Sequence, residues 1–333
     1  MTPGEAAQAG AAPRAPQALS VRAADGYRLG GLAWRNGAGC AADRPVVIIN
    51  AATSVRCNYY ARFAQFLFEQ GFDVIAYDYR GIGLSRPRSL RHFEASWIEW
   101  GRLDFEAMLQ YARRAFPGQA IDVVAHSIGG FLIGFAPSNR SIRRIVTMGA
   151  QHAYWRDYAP QARYKMLAKW HVFMPALTAL LGYFPGQWLG WLEDTPRGVV
   201  LDWSRAGERF TGARRHGRAR HGDAAAVLQH FSTVTAPTLA ISVTDDEFGT
   251  VAAIERALAY FPHSPATHLR IAPASVGQPR LGHFAFFNAC HENTLWRIAL
   301  EWLRHGRCPA DVPGTIVGVR RAAGPGREER APA

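Results

Sequence analysis

Ser127 is the side chain in this sequence best placed to act as a nucleophile. It interrupts Val123-Val124-Ala125-His126-Ser127-Ile128-Gly129-Gly130, where an apolar strand pattern gives way to a helical one. A serine at a sharp strand-to-helix turn presents its hydroxyl, and such a turn needs small residues two places before and after it. Ala125 and Gly129 supply them, so the pattern departs from Gly-x-Ser-x-Gly by one methyl group. A large side chain at either position would collide where the strand and the following helix come close. A hydroxyl is a weak nucleophile at neutral pH. It needs a base to take its proton and an acid to orient that base.

In the chain order Ser…Asp…His the acid follows a late strand. Thr238–Val243 reads as that strand and runs into Thr244-Asp245-Asp246-Glu247-Phe248. Position relative to the strand favours Asp246, with Asp245 second; the plainer reading of both is turn formation and helix capping. The other place for an acid, after the strand Ile142–Met148, reads Gly149-Ala150-Gln151 and holds no carboxylate. His283, in Arg280-Leu281-Gly282-His283-Phe284, follows the last strand of the pattern and is the candidate base. His263 and His268 come too early for that role, and His291 lies past it. Negative charge developing on a carbonyl oxygen calls for two N–H donors. Ile128, directly after the nucleophile, is expected to supply one, helped by the positive end of its helix. The loop Asn50-Ala51-Ala52-Thr53-Ser54 is expected to supply the other, from Ala52 first and Ala51 second.

These groups must be brought to one sheet edge. Strand and helix patterns alternate, which implies an α/β chain with a mostly parallel sheet and helices on both faces. Leu19–Arg22 and Arg28–Trp34 flank Asp25-Gly26 as a hairpin. Val46–Asn50, Phe72–Tyr77, Ile121–Ala125, Ile142–Met148, Thr238–Val243 and Thr267–Ile271 read as strands. Tyr59–Gln70, Ile98–Phe116, Ile128–Phe135, Val251–Tyr260 and Asn293–Leu303 read as helices. The alternation stops between Gly149 and Ala236, where aromatics and broken helical patterns prevail: Tyr154-Trp155, Trp170, Trp188, Trp191, Trp203. Residues 149–236 are therefore expected to form a helical cap inserted over the strand ends, between core segments 18–148 and 237–308. Residues 1–17 and 309–333, rich in Ala, Pro, Gly and Arg, are expected to be disordered tails.

The formal net charge is +12. Much of it sits in Arg205, Arg209, Arg214, Arg215, Arg218 and Arg220, with no nucleic-acid-reading motif beside them, so solvated arginines are expected and no nucleic-acid partner. Four cysteines without C-x-x-C spacing argue against a zinc site or a disulfide framework. No metal-binding H-E-x-x-H run occurs, and His216 and His221 lie among arginines. No apolar run of about 18 residues is present, so no transmembrane helix is expected. The N-terminus does not read as a secretory signal, which makes the cytoplasm the expected location.

Taken together, the elbow Ala125–Gly129, the strand end at Asp246 and the Gly282-His283 loop resemble the α/β-hydrolase superfamily over about residues 19–305. Tyr77-Asp78-Tyr79-Arg80-Gly81-Ile82-Gly83-Leu84-Ser85 is similar to that superfamily's Asp-x-Arg-Gly-x-Gly-x-Ser turn, a structural element in which Arg80 would hold loop carbonyls. Ile48–Thr53, Tyr77–Ser85 and Gly182–Gly186 are similar to a poorly characterised bacterial group of serine hydrolases with a helical cap. The resemblance implies a cofactor-independent enzyme. Superfamily members that open haloalkanes or epoxides use aspartate at the elbow, so Ser127 points to acyl transfer. The expected activity is hydrolysis of carboxylic ester-type bonds through an acyl-Ser127 intermediate, with Asp246, His283, Ile128 and Ala52 in the roles above. The aromatic insertion suggests an apolar acyl substrate. An acyltransferase with the same three residues, and a non-catalytic binding protein on the same fold, are the alternatives.

Overall fold

The computed structural model describes residues 15–36, 44–210 and 228–322. Among them nine strands form one sheet: β1 (Gln17–Arg22), β2 (Arg28–Trp34), β3 (Val46–Asn50), β4 (Asp73–Tyr77), β5 (Ile121–His126), β6 (Ile142–Met148), β9 (Thr238–Val243), β10 (Ala266–Ile271) and β11 (Thr315–Arg320). Two short strands, β7 (Tyr183–Phe184) and β8 (Thr195–Pro196), pair separately. The sheet order is β1-β2-β4-β3-β5-β6-β9-β10-β11. Neighbours from β4 through β10 run parallel, and the pairs β1–β2, β2–β4 and β10–β11 are antiparallel. The expected mostly parallel α/β architecture is thus what the chain adopts. β3, β4, β5 and β9 are buried at every position, which is why they read as continuous apolar runs without alternation.

From β3 the chain steps to β4 on one side and to β5 on the other. The connections leaving the carboxyl ends of β3 and β5 therefore diverge, and they leave a crevice where ligands bind in open α/β sheets. Ser127 follows β5, and the loop Ala51–Ser54 follows β3. The parallel direction of β6, β9 and β10 brings the residues after those strands to the same edge.

Several elements differ from expectation in ways that have local causes. The helix expected over Ile98–Phe116 spans Trp97–Ala115 and contains wide π turns at Trp100–Phe105. The helix after Ser127 is α-helical only over Ile128–Leu132 and tightens to 3₁₀ at Ile133–Phe135. Arg80 pairs with carboxylates rather than loop carbonyls: its guanidinium meets Asp104 at 2.7 Å and Asp25 at 2.7 Å. The tail expected from residue 309 onward contains β11, which pairs antiparallel with β10. The run Thr-Ile-Val-Gly-Val-Arg has β-branched residues and supplies a ladder to an otherwise open edge. Its side chains remain largely exposed, so burial alternation gives no hint of it. Most of the expected N-terminal tail (residues 1–14), the arginines from Arg214 to Arg220, and residues 323–333 lie outside the described residues.

Between β6 and β9 the chain runs through Arg163–Met166, the π-helical Leu167–Phe173 and Met174–Leu181, which succeed one another without a break. The wider turns lie just before Pro175, which brings no N–H to the helix. After β7 and β8, the helix Arg197–Ser204 follows. The insertion is tied to the sheet domain on two flanks. On one, Arg56 pairs with Glu193 at 2.7 Å, Arg86 with Asp194 at 2.7 Å, and the Trp97 N–H donates to Asp202 at 2.7 Å. On the other, Asp157 pairs with Arg256, and its carbonyl accepts from Thr250. No helix among the described residues is long and apolar enough to cross a membrane.

Candidate active site

The turn at Ser127 is strained. Its backbone has φ 54° and ψ −127°, a conformation non-glycine residues seldom adopt. The Ser127 N–H donates to the Met148 carbonyl at 2.8 Å, which fixes the end of β5 against β6 before the chain bends. Gly129 is required for a reason other than contact between β5 and its own helix. A Cβ there would lie 2.6 Å from the Asn50 oxygen and 2.7 Å from the Ala51 oxygen, so the close approach is to the end of β3. Ala125 is wholly buried between Asn50 of β3 and Thr147 of β6, where a methyl group fits.

The two candidate acids divide their work. Asp246 Oδ2 meets His283 Nδ1 at 2.7 Å, and Asp246 Oδ1 accepts the Phe248 N–H at 2.8 Å. Burial alone would raise the Asp246 carboxyl, but His283 and the Gly249 and Phe248 amides together hold it below the usual carboxylate range. A carboxylate on Nδ1 selects the tautomer with the proton there and leaves Nε2 as the basic nitrogen. Asp245 instead accepts the Leu281 N–H at 2.9 Å and the Gly282 N–H at 3.0 Å. It anchors the loop that carries His283 and does not touch the imidazole.

Ser127 and His283 line one cavity of about 380 Å³, together with Ala52, Thr53, Ile128 and Gln151. Trp97, Trp170, Trp191, Trp203, Phe248 and Phe284 form its apolar wall, and the insertion between β6 and β9 contributes three of these tryptophans. This volume is within the range of small-molecule sites.

The Ala52 amide is not where the loop sequence puts it. Its N–H donates to Tyr60 Oη at 2.9 Å, which diverts it from a substrate oxygen. Ala52 is thus corrected as the expected second donor; the next amide, Thr53, belongs to a residue lining the cavity and has no hydrogen bond to the described backbone. Tyr60 continues a buried chain. Tyr60 Oη meets His126 Nδ1 at 2.9 Å, and His126 Nε2 meets the His283 carbonyl at 2.9 Å. The carbonyl can only accept, so Nε2 carries the proton, Nδ1 accepts, and Tyr60 donates to it while accepting from Ala52. Burial, reinforced by His283, lowers the His126 pKa to about 3, in keeping with this neutral tautomer. The chain links the loops after β3 and β10 through the residue preceding Ser127. Tyr60→Phe strands the Ala52 N–H and one His126 nitrogen, and is expected to cost about 1–3 kcal/mol of stability; the shift in urea midpoint measures it.

Gln151 is the residue that reading by chain order passed over. Its Nε2 lies 3.5 Å from Ser127 Oγ, while its Oε1 accepts the Ala153 N–H. Ala153 itself has φ 62°. The available signal was positional: Gln151 closely follows β6 at the edge where the other candidates gather.

The family model for the alpha/beta hydrolase fold matches residues 44–287. The chain belongs to that family. Among solved structures, an esterase from Pyrococcus furiosus superposes with a TM-score of 0.54 at 17% identity, covering 87% of this chain and 91% of that one. A Mycobacterium tuberculosis protein gives 0.55 at 16% identity, covering 86% and 98% of the two chains. A thermophilic esterase from Thermogutta terrifontis gives 0.52 at 14%, covering 86% and 98%. At such identities the likeness is one of fold. No curated protein matches the sequence. In this alpha/beta hydrolase, then, the expected superfamily and fold are found, and the residues singled out for chemistry meet at the carboxyl edge of its sheet.

Proposed function

We propose that the protein is a serine hydrolase acting on carboxylic ester-type bonds. The observation that carries this reading is the 2.7 Å contact between His283 and Asp246 beside a serine held at φ 54° in the same cavity. In the reaction, His283 Nε2 takes the Ser127 proton as Oγ attacks the acyl carbon. Asp246 keeps the proton on Nδ1 and stabilises the imidazolium that forms. The Ile128 amide, at the start of its helix, and the Thr53 amide, in place of Ala52, stabilise the tetrahedral oxyanion. His283 then protonates the leaving alcohol, and water releases the acyl group from Ser127 by the reverse sequence.

The insertion acts as a cap whose tryptophans receive an apolar acyl chain and exclude water from the reacting carbonyl. Gln151 restrains the serine hydroxyl from the end of the neighbouring strand β6. A fluorophosphonate probe tests the reading. Wild-type protein is expected to label at Ser127, and Ser127→Ala to lose labelling while its circular dichroism is unchanged. Labelling that persists in Ser127→Ala, or folded wild type that does not label, would overturn it.

A further inference from the structure

Of the 38 lysine and arginine residues in the sequence, only two are lysines, Lys165 and Lys169. Both line the cavity that contains Ser127. Arginine is the ordinary surface cation of this chain, and its structural ion pairs are made by arginines: Arg56, Arg80, Arg86, Arg143 and Arg256 each meet a carboxylate. The lysines do no such work. Among the described residues neither forms a salt bridge, and Glu247, the acid that lines the same cavity, pairs with neither.

The helix of the insertion places both at the cavity, Lys169 half-buried and Lys165 exposed. Lys165 and Met166 lie in its last α turn before the π stretch, and Lys169 and Trp170 lie within that stretch, all four lining the cavity. Lys169 Nζ is held 3.8 Å from the Trp191 ring centre and 4.4 Å from that of Trp170. Ring faces attract the cation without occupying its N–H donors as a carboxylate would. An ammonium is also a compact charge with three donors, unlike the planar guanidinium fork that the rest of the chain uses. Two cations therefore line one cavity with a single carboxylate, Glu247, which acts on Lys169 from a distance and forms a salt bridge with neither lysine, so the wall keeps an excess of positive charge.

We infer that Lys165 and Lys169 form an anion-binding wall, and that the acyl substrate carries a carboxylate away from the bond to be cleaved. The inference rests on the serine hydrolase reading for the cleavage, though not for the binding. The plainer role for Lys169, bracing Trp191, predicts no preference for charge. The substrate class is a half-ester of a dicarboxylic acid: an apolar chain against the tryptophans, a carboxylate at the lysines and the ester carbonyl at Ser127.

The test compares mono-4-nitrophenyl octanedioate with 4-nitrophenyl octanoate, which match in length and differ in the terminal charge. Wild type is expected to prefer the charged ester by about tenfold or more in kcat/KM, chiefly through KM, as befits a charge-assisted contact. Lys165→Met/Lys169→Met is expected to abolish the preference, and Lys169→Arg to retain part of it. Preference for the neutral ester in wild type, or an unchanged ratio in the double variant, would overturn the inference. Binding is read separately, by calorimetry and tryptophan fluorescence with octanedioate on Ser127→Ala protein, with and without the lysine substitutions. Lysine-dependent binding without turnover of either ester by wild type would uphold the anion site and sink the hydrolase reading. Turnover of both esters with lysine-independent binding would do the reverse. Lys165→Gln, at an exposed position, supplies the comparison should the double variant lose its circular dichroism signal.

Discussion

Asp246→Asn is expected to lower kcat on a 4-nitrophenyl ester by about 10⁴-fold, with KM little changed, in line with the loss seen when a catalytic histidine's carboxylate becomes an amide. The carboxamide has nearly the same shape, so the loss arises from the proton. Asp246 Oδ2 accepts a hydrogen bond from the His283 Nδ1–H at 2.7 Å. An amide that turns its NH₂ toward the ring selects the other tautomer, which places the proton on Nε2 and removes the base. Asp245→Asn works through a different bond. It weakens the hold on the Leu281 and Gly282 amides, so its effect is expected to be smaller and to appear together with a lower melting temperature. Equal losses of kcat from the two variants would refute the division of roles drawn from the geometry.

Acidification from pH 7 to pH 5 is expected to cost about 4 kcal/mol of folding stability through His126 and His152, offset in part by Asp104, whose carboxyl burial pushes up to about 7 and which binds its proton more readily folded than unfolded. Burial lowers the His126 pKa to about 3 and the His152 pKa to about 4. In the unfolded chain both imidazoles take up a proton near pH 6.5. Below that pH the unfolded state binds more protons than the folded one, so stability falls as pH falls. The slope is about 1.4 kcal/mol per pH unit for each histidine and ends as pH drops through the folded values. Above about pH 7.5 neither group titrates in either state, and the two contribute no further change. Urea midpoints at pH 8, 7, 6 and 5 measure this. The same profile in wild type and His152→Gln would mean that the His152 ring is protonated in the folded protein. His152→Gln removes one titrating site and is expected to reduce the slope by about 1.4 kcal/mol per pH unit.

Much of the candidate site is legible from chain order, because a parallel sheet converts order along the chain into position along an edge. Ser127, the acidic pair and His283 each follow a strand; Ser127 and His283 line one cavity, and Asp246 stands behind His283. What stays hidden is whatever depends on the direction of a side chain reaching across the fold. The choice between Asp245 and Asp246 turns on which carboxylate faces an imidazole 37 residues away. The Ala52 amide is diverted by a phenol oxygen from Tyr60, whose own orientation is set by His126 from another strand. Arg80 finds Asp104 and Asp25, 24 and 55 residues distant, where local reading offers only loop carbonyls. β11 escapes notice because its contribution is a backbone ladder, and ladders leave no apolar alternation behind.

The insertion is stitched to the sheet domain by two separate sets of polar contacts. Asp157 pins it beside Arg256, and Glu193, Asp194 and Asp202 pin the far side. The two sets share the attachment, so removing one leaves the other in place. Attachment shared in this way makes the loss of any single contact, as in Asp157→Ala, expected to cost less than the loss of contacts from both sets together.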